Sequence, residues 1–455
     1  MRKLLIANRG EIAVRIIRAA RELGIQTVAV CSEADVNALH VRTADEHVVI
    51  GPAAATKSYL DEDAVLAAAE KTGADAVHPG YGFLSERAGF AQRVADAGMT
   101  FVGPSPEAIR MMGDKAQARE TAAKAGVPTV PGSDGPVTDL DAAVAAAEGV
   151  GYPVAIKAAA GGGGRGIRIV ASADELRAAI PLAQAEAQAA FGNGDVYIER
   201  FVPSARHIEV QVFGDGEHFV HLGERDCSMQ RRRQKVIEEA GAPGLPAAQR
   251  AAMLDAAVRL AAAVGYQGAG TVEFLYDPAR EDFFFIEMNT RIQVEHPVTE
   301  MVVGRDLVRE QLTVAGGAPL SFTQDDVEMR GHAIEFRLNA EDPTLNFLPS
   351  PGTLQQMRMP GGPFVRIDSG FEVGSEISPF YDSLVAKIIV WGETRDIAIA
   401  RALRALDEVD IQGIKTTAGF LRDVVDTQEF RDGDYHTTWL ESWMSRPADT
   451  GKQSA

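Results

Sequence analysis

The sequence predicts a multi-domain α/β chain that opens in a parallel sheet and continues into a long β-rich region. Three observations carry this. The chain has 455 residues, more than one hydrophobic core usually organises. Over the first hundred residues, apolar runs of strand length alternate with amphipathic helical patterns, the signature of βαβ units. From about Asp114 that alternation gives way to a glycine tract between two strand-like runs, then to repeated β-patterned stretches.

Taken in order, residues 3–7 read as a buried strand, 11–23 as a helix and 27–31 as a second strand. Residues 59–71 are Ala-rich and helical, 76–78 a short strand, and 89–97 helical again. A helix at 114–125 leads through Gly126-Val127-Pro128 to strands at 154–158 and 167–170, which flank the glycines. Strands follow at 196–199, 207–213, 219–222, 271–276 and 283–287. Polar residues 321–326 read as a linker, after which 332–339 and 384–391 are strands and 396–409 a helix.

Composition narrows the function classes. Lys and Arg total 45 against 64 Asp and Glu, a formal charge of −19. Such a surface repels nucleic acid and anionic membranes. Hydrophobic content of 46% and charged content of 24% are ordinary for a folded protein. Cys31 and Cys227 fit no metal-binding pair, and their scarcity suits a reducing, cytoplasmic setting. The apolar start ends at Asn8-Arg9, too soon for a signal peptide, and no run of 18 apolar residues exists to span a membrane.

Four features carry chemistry. The tract Gly161-Gly162-Gly163-Gly164-Arg165-Gly166 matches G-x-G-x-x-G, but a strand follows it where the dinucleotide fingerprint needs a helix. Strand, glycine loop and strand make a flap whose N–H groups can lie over phosphates, with Lys157 upstream as the cation. A plain hairpin tip is the alternative. A kinase is excluded, since no His-Arg-Asp or Asp-Phe-Gly occurs, and no Gly-Lys-Ser/Thr forms a P-loop.

Second, Glu287, Asn289, Arg291, Gln293 and Glu295 recur with period two, which in an extended chain puts them on one side. A hairpin through 277–282 brings Glu273 to Glu287. Two carboxylates and an amide oxygen suit Mg²⁺ or Mn²⁺ bound with phosphates; a solvated polar face is the alternative. Third, Arg231, Arg232, Arg233 and Lys235 put four cations within five residues, either a solvated run or an anion site. Fourth, His207, Glu209 and Gln211 share one strand face, where His207 reads as a structural histidine.

Together these motifs resemble an ATP-grasp enzyme, and more narrowly the biotin carboxylase component of acyl-CoA carboxylases. The matching stretches are Leu5–Ala13, His78–Glu86, Glu224–Ser228, Glu287–Glu300 and Phe380–Leu384, spread from residue 4 to about 440. The resemblance implies an ATP-grasp fold. A Rossmann-like domain would occupy 1–113, and an ATP-grasp domain 114–325 with a mobile glycine-flap lid at about 130–203. A mainly β C-terminal domain would fill 326–445, leaving 446–455 as a disordered tail.

It further implies that Lys115, Lys157, Glu199 and Val202 hold ATP beneath Gly162, Gly163, Gly164 and Gly166, with His207 and Gln230 near the ribose. Glu273, Glu287 and Asn289 would bind the metal. Lys235, Arg291, Gln293, Val294 and Glu295 would hold bicarbonate, with Glu295 as its base. Arg337 would stabilise the enolate form of biotin, with Tyr81 and Gly82 by its ring. ATP, bicarbonate and biotin are the implied substrates. The implied partners are a separate biotinylated carrier, carboxyltransferase subunits and a second copy of the chain. A carrier in trans fits the lack of any Met-Lys pair and the short stretch after residue 445. Two positions depart from the family pattern: Arg233 stands where His is common, and Gly241 where Pro is common. An idle regulatory subunit and another acylphosphate-forming ligase are the rival readings. Retention of Lys157, Glu273, Glu287, Arg291, Glu295 and Arg337 weighs against the first. Tyr81-Gly82 and 291–295 weigh against the second.

Overall fold

A computed structural model describes residues 1–446 except 134, 138 and 159–166. The predicted tail lies outside the described residues from 447 onward. β1 (Lys3–Ile6), α1 (Gly10–Glu22), β2 (Gln26–Cys31), β3 (Glu46–Val49), β4 (Ala76–His78) and β5 (Thr100–Phe101) open the chain. The strands form a parallel sheet in the order β3-β2-β1-β4-β5. Leu4, Leu5 and Ile6 of the central strand have no exposed surface, as befits a strand covered on both faces. β3 and β5 escape the sequence reading because one is polar and mostly exposed and the other is two residues long.

α2 (Lys115–Lys124) begins at Asp114, whose carboxylate accepts the Gln117 N–H at 2.9 Å and so satisfies an orphan donor of the first turn. β6 (Val154–Ala158), β7 (Ile167–Val170) and β8 (Val196–Arg200) make a small antiparallel sheet, order β7-β6-β8. Helices Leu140–Val150 and Ala173–Phe191 pack on it. Neither is predicted from sequence, because Ala on every side blurs the apolar stripe.

The largest element is an antiparallel sheet of eight strands. Its members are β9 (Arg206–Asp215), β10 (Phe219–Arg231), β11 (Gln234–Ala240), β12 (Gln267–Asp277), β13 (Asp282–Asn289), β14 (His332–Asn339), β15 (Val365–Ser369) and β16 (Leu384–Gly392). They run in the order β13-β12-β9-β10-β11-β14-β16-β15. α3 (Ala247–Ala263) joins β11 to β12 and, with α2, covers Val210, Val272 and Phe274. α4 (His296–Val303) follows β13 and packs on β10, β11, β14 and β16. α5 (Arg395–Asp407) covers Phe336, Ile388 and Val390 at the far end. The polar stretch 321–326 does not separate two sheets. It contains a single 3₁₀ turn, Gln324–Asp326, and the sheet runs across it because β11 pairs with β14. No described helix is long and apolar enough to cross a membrane.

Candidate functional site

The face of the large sheet that carries chemistry is built by register. β9 and β12 put Glu209 opposite Glu273, and the β12–β13 hairpin puts Glu273 opposite Glu287, as the sequence predicts. Lys235, near the start of β11, reaches into this face. Its Nζ donates to Glu209 Oε2 at 2.5 Å, to Glu273 Oε1 at 3.1 Å and to Glu295 Oε1 at 2.6 Å. Three carboxylates thus share one ammonium in a buried setting, where charge attraction far exceeds its value in water. Burial opposes the charged form of Lys235, but these acids override it and hold the ammonium well above its usual range. Burial likewise opposes ionisation of Glu295, yet Lys235, Arg337 and Arg225 keep its carboxyl well below the usual range.

Arg225 lies beneath that cluster with no exposed surface. Its Nε donates to Glu209 Oε1 at 2.6 Å and its Nη1 to Gln211 Oε1 at 2.7 Å and Thr299 Oγ1 at 3.0 Å. Its Nη2 donates to Gln293 Oε1 at 2.6 Å and Thr271 Oγ1 at 3.2 Å. A planar fork with five N–H groups satisfies all these acceptors at fixed angles, which lysine cannot do.

The 287–295 segment departs from the extended chain predicted for it. β13 ends at Asn289, and the chain then turns so that Glu295 becomes the residue before α4. Turning lets Ile292 bury its side chain fully, and hydrogen bonding rather than strand alternation gathers the polar groups. Asn289 Nδ2 and Gln293 Nε2 donate to Glu273 Oε1 at 2.9 and 3.0 Å. Arg291 Nη2 donates to Asn289 Oδ1 at 2.8 Å, and its Nε to Glu86 Oε2 at 2.9 Å. The Val294 carbonyl accepts from Lys387 Nζ at 2.7 Å.

Arg337 on β14 closes the cluster from the C-terminal side. Its Nη2 donates to Glu295 Oε2 at 3.0 Å and its Nε to Glu238 Oε1 at 2.6 Å. The loop bearing Tyr81 and Gly82 approaches from the N-terminal sheet. Tyr81 donates its hydroxyl to Glu11, and Glu11 pairs with buried Lys387 at 3.1 Å. Asn8 Nδ2 clamps the loop through Pro79 O at 2.7 Å and Tyr81 O at 2.8 Å. Gly80, at φ +64, makes this possible, since a Cβ there would lie 2.9 Å from Asn8 Nδ2.

The phosphate-binding candidates lie further out. Lys157 on β6 pairs with Glu199 on β8, which also accepts from Arg119 Nη1 at 3.0 Å. Val202 is buried just past β8. Gly162, Gly163, Gly164 and Gly166 lie outside the described residues. His207 Nε2 is 3.0 Å from Glu273 Oε2, and its Nδ1 meets Gln230 Nε2 at 2.9 Å. The basic run divides. Lys235 enters the site, while Arg232 and Arg233 form the β10–β11 turn with φ of 49° and 66°. Arg231 stacks 3.7 Å from the Phe347 ring, and the Arg232 N–H bonds Glu441 Oε1 at 2.7 Å. These two arginines fasten the hairpin tip to the C-terminal region. Gly241 sits at φ +88, which proline's ring, locked near −65°, cannot adopt.

The donor set at Glu273 and Glu287 fits a hard divalent cation. Glu287 keeps an open surface, yet local desolvation together with the Glu273 charge raises its carboxyl, and Lys115 only partly offsets this. A cation there would relieve the repulsion. Asn289 Oδ1 already accepts from Arg291, so a metal would share that oxygen. Two tighter groups of candidate ligands, His207/Glu209/Glu273 and Glu209/Cys227/Glu295, have their carboxylate charge met by Lys235 and Arg225.

Arg225, Glu238 and Lys387 are not among the site residues predicted from sequence, and Glu209 is read there only as sharing a strand face with His207 and Gln211. Only for Lys387 is there a local signal, a lone charge inside an apolar strand at Ala386-Lys387-Ile388.

Comparison with known proteins places this geometry. Residues 1–109 match the model "Biotin carboxylase, N-terminal domain", 114–323 "Carbamoyl-phosphate synthase L chain, ATP binding domain", and 335–442 "Biotin carboxylase C-terminal domain". Biotin carboxylase 1 of Bacillus subtilis is 55% identical over 444 residues, 97% of this chain and 99% of that protein. Among solved structures, the biotin carboxylase domain dimer of Hydrogenobacter thermophilus 2-oxoglutarate carboxylase, with MgADP, ADP and bicarbonate, is 47% identical. Its TM-score is 0.88, over 97% of each chain. A biotin carboxylase complex with β,γ-ATP from Campylobacter jejuni is 46% identical with a TM-score of 0.89, over 97% of this chain and 98% of that one.

Proposed function

The chain belongs to the biotin carboxylase family, and from that premise we propose how its residues divide the work of carboxylating biotin. The reaction joins ATP, bicarbonate and biotin into ADP, phosphate and carboxybiotin. A bicarbonate oxygen attacks the γ-phosphoryl group, ADP leaves, and the carboxyphosphate formed delivers its carboxyl group to the biotin ureido nitrogen.

The observation that carries the residue assignment is Glu295, buried between Lys235 Nζ at 2.6 Å and Arg337 Nη2 at 3.0 Å. Lys235, Arg291, Gln293 and the Val294 backbone bind bicarbonate. Glu295 takes its proton as the oxygen attacks. Against burial, Lys235, Arg337 and Arg225 hold the Glu295 carboxyl below the usual carboxylate range. An arriving anion that shares Lys235 and Arg337 weakens their hold, so the carboxylate becomes a better base once substrate is in place. Arg337 then offsets negative charge on the biotin ureido oxygen as its nitrogen attacks, with Tyr81 and Gly82 beside the ring.

Lys115, Lys157, Glu199 and Val202 bind ATP, with His207 and Gln230 toward its ribose. Water kept from carboxyphosphate prevents its hydrolysis. Glu273, Glu287 and Asn289 hold Mg²⁺ or Mn²⁺, which when bound neutralises phosphate charge. The chain divides at 113/114 and 325/326 into a Rossmann-like part, an ATP-grasp part with its lid at about 130–203, and a C-terminal part. Biotin arrives on a carrier protein, carboxyltransferase subunits consume the product, the chain pairs with a second copy, and the setting is cytoplasmic.

The test is ATP turnover with bicarbonate, metal and free biotin omitted in turn. Each of the first two omissions abolishes ADP formation, and added biotin raises it. Equal turnover in bicarbonate-depleted buffer overturns the proposal.

A further inference from the structure

Arg337 is held by two carboxylates, and only one of them belongs to the proposed reaction. Glu238 Oε1 accepts its Nε at 2.6 Å, while Glu295 Oε2 accepts its Nη2 at 3.0 Å. Glu238 has no exposed surface, and its Oε2 has no hydrogen-bond partner among the described residues. β11 and β14 set Glu238 opposite Glu335. Glu335 is also fully buried, and neither of its oxygens has a partner among the described residues. An acid so placed beside a second acid keeps its proton rather than ionise. Burial, with the Glu238 and Glu295 charges, pushes the Glu335 carboxyl well above its usual range, against the pull of Lys387 and Arg337. Glu335 therefore leaves the Arg337 charge to its neighbours.

We propose that Glu238 is a positioning residue that anchors Arg337 while Glu295 changes charge. The inference rests on the reading of Glu295 as the base for bicarbonate. Burial and the Glu295 charge push the Glu238 carboxyl up to about 7 against the pull of Arg337. When Glu295 accepts a proton that repulsion ends, so Glu238 ionises more fully just as Glu295 stops attracting Arg337. It then holds a guanidinium that would otherwise be free to swing away. Glu238 grips Nε, at the root of the guanidinium, and so fixes its plane. The Nη groups stay pointed at the space where the biotin oxygen gains charge.

The experiment uses the full chain and free biotin, with Glu238→Gln, Arg337→Gln and the double variant, each checked by thermal melting. Wild-type turnover that needs bicarbonate and rises with biotin establishes the underlying reading separately. Glu238→Gln is then expected to lower kcat for biotin carboxylation roughly 10- to 100-fold, as loss of a supporting partner does at other sites. KM for ATP and the slow biotin-free, bicarbonate-dependent ATP cleavage should stay within about threefold. In the Arg337→Gln background, the same change should cost no more than about twofold, because the partner it serves is gone. Glu238→Asp, which keeps the charge, should melt like wild type and recover part of the lost kcat. An equal cost of Glu238→Gln with and without Arg337, a parallel fall in biotin-free ATP cleavage, or no recovery by Asp would each overturn the proposal.

Discussion

Two sets of charged groups serve the site, and they are built differently. In the inner set, the side chains of Lys235, Glu295 and Arg225 are 13%, 2% and 0% exposed. In the outer set, Lys157 and Arg119 are 40% and 41% exposed around Glu199. The inner ions come from strands β9 to β14 and the turn before α4, and each hydrogen-bonds several partners. The outer ions lie on the small β6–β8 sheet and α2, bathed in solvent that screens them. A small anion such as bicarbonate offers few atoms to grip, so its cations must be fixed in advance. A triphosphate has many oxygens and can be met by side chains that adjust.

Substitutions can break or sharpen this contrast. The largest effect is expected for Lys235→Met, which leaves three buried carboxylates without their shared cation. Stability should fall by about 3–5 kcal/mol, read by urea unfolding, with turnover down about 10³-fold. A loss under 1 kcal/mol would put this network on a par with a surface pair.

Next is Glu295→Gln, with turnover reduced about 10²- to 10⁴-fold. Its effect on stability should carry a pH signature. The folded carboxyl titrates below its unfolded value of about 4.3, so its stabilisation is present above that pH and lost as pH falls through the lowered value. The wild-type-minus-variant difference in unfolding free energy should shrink below about pH 4. Between about pH 9 and 5 the Glu238 carboxyl, pushed up to about 7 by burial and the Glu295 charge, adds a slope of its own. A difference that grows below about pH 4 would contradict the charge assignment.

Glu287→Gln should raise the Mg²⁺ concentration for half-maximal activity by about tenfold, with turnover partly regained at high metal. An unchanged metal titration would remove Glu287 from the metal set. The smallest effect belongs to the outer region. Lys157→Ala should raise the KM for ATP several-fold yet change stability by less than about 1 kcal/mol, and added salt should shrink the KM difference. A stability loss as large as that of Lys235→Met would erase the distinction.

The same contrast explains what the sequence revealed. Strands that alternate, such as β9, or that carry an apolar run, such as β12, were legible, and so was the pairing of Glu273 with Glu287 across a short turn. The polar groups of residues 287–295 do gather, but for another reason than the one read from sequence. Period two placed them together, whereas Ile292 packing and hydrogen bonds to Glu273 do so in a chain that has already turned. Arg225 and Glu238 stayed hidden because their value lies in partners from distant strands, which no local pattern records. Arg231 and Arg232, prominent in the sequence, serve to fasten a hairpin tip. Residues 140–150 and 173–191 were missed as helices because Ala-rich faces give little contrast.

The account turns on a bicarbonate oxygen attacking ATP under the control of Glu295, and oxygen-18 tracing tests it most directly. With labelled bicarbonate in ordinary water and free biotin present, each phosphate released should carry one oxygen from bicarbonate. Unlabelled phosphate would mean that water, rather than bicarbonate, attacks the γ-phosphoryl group, and that the buried network around Glu295 does not do the work assigned to it.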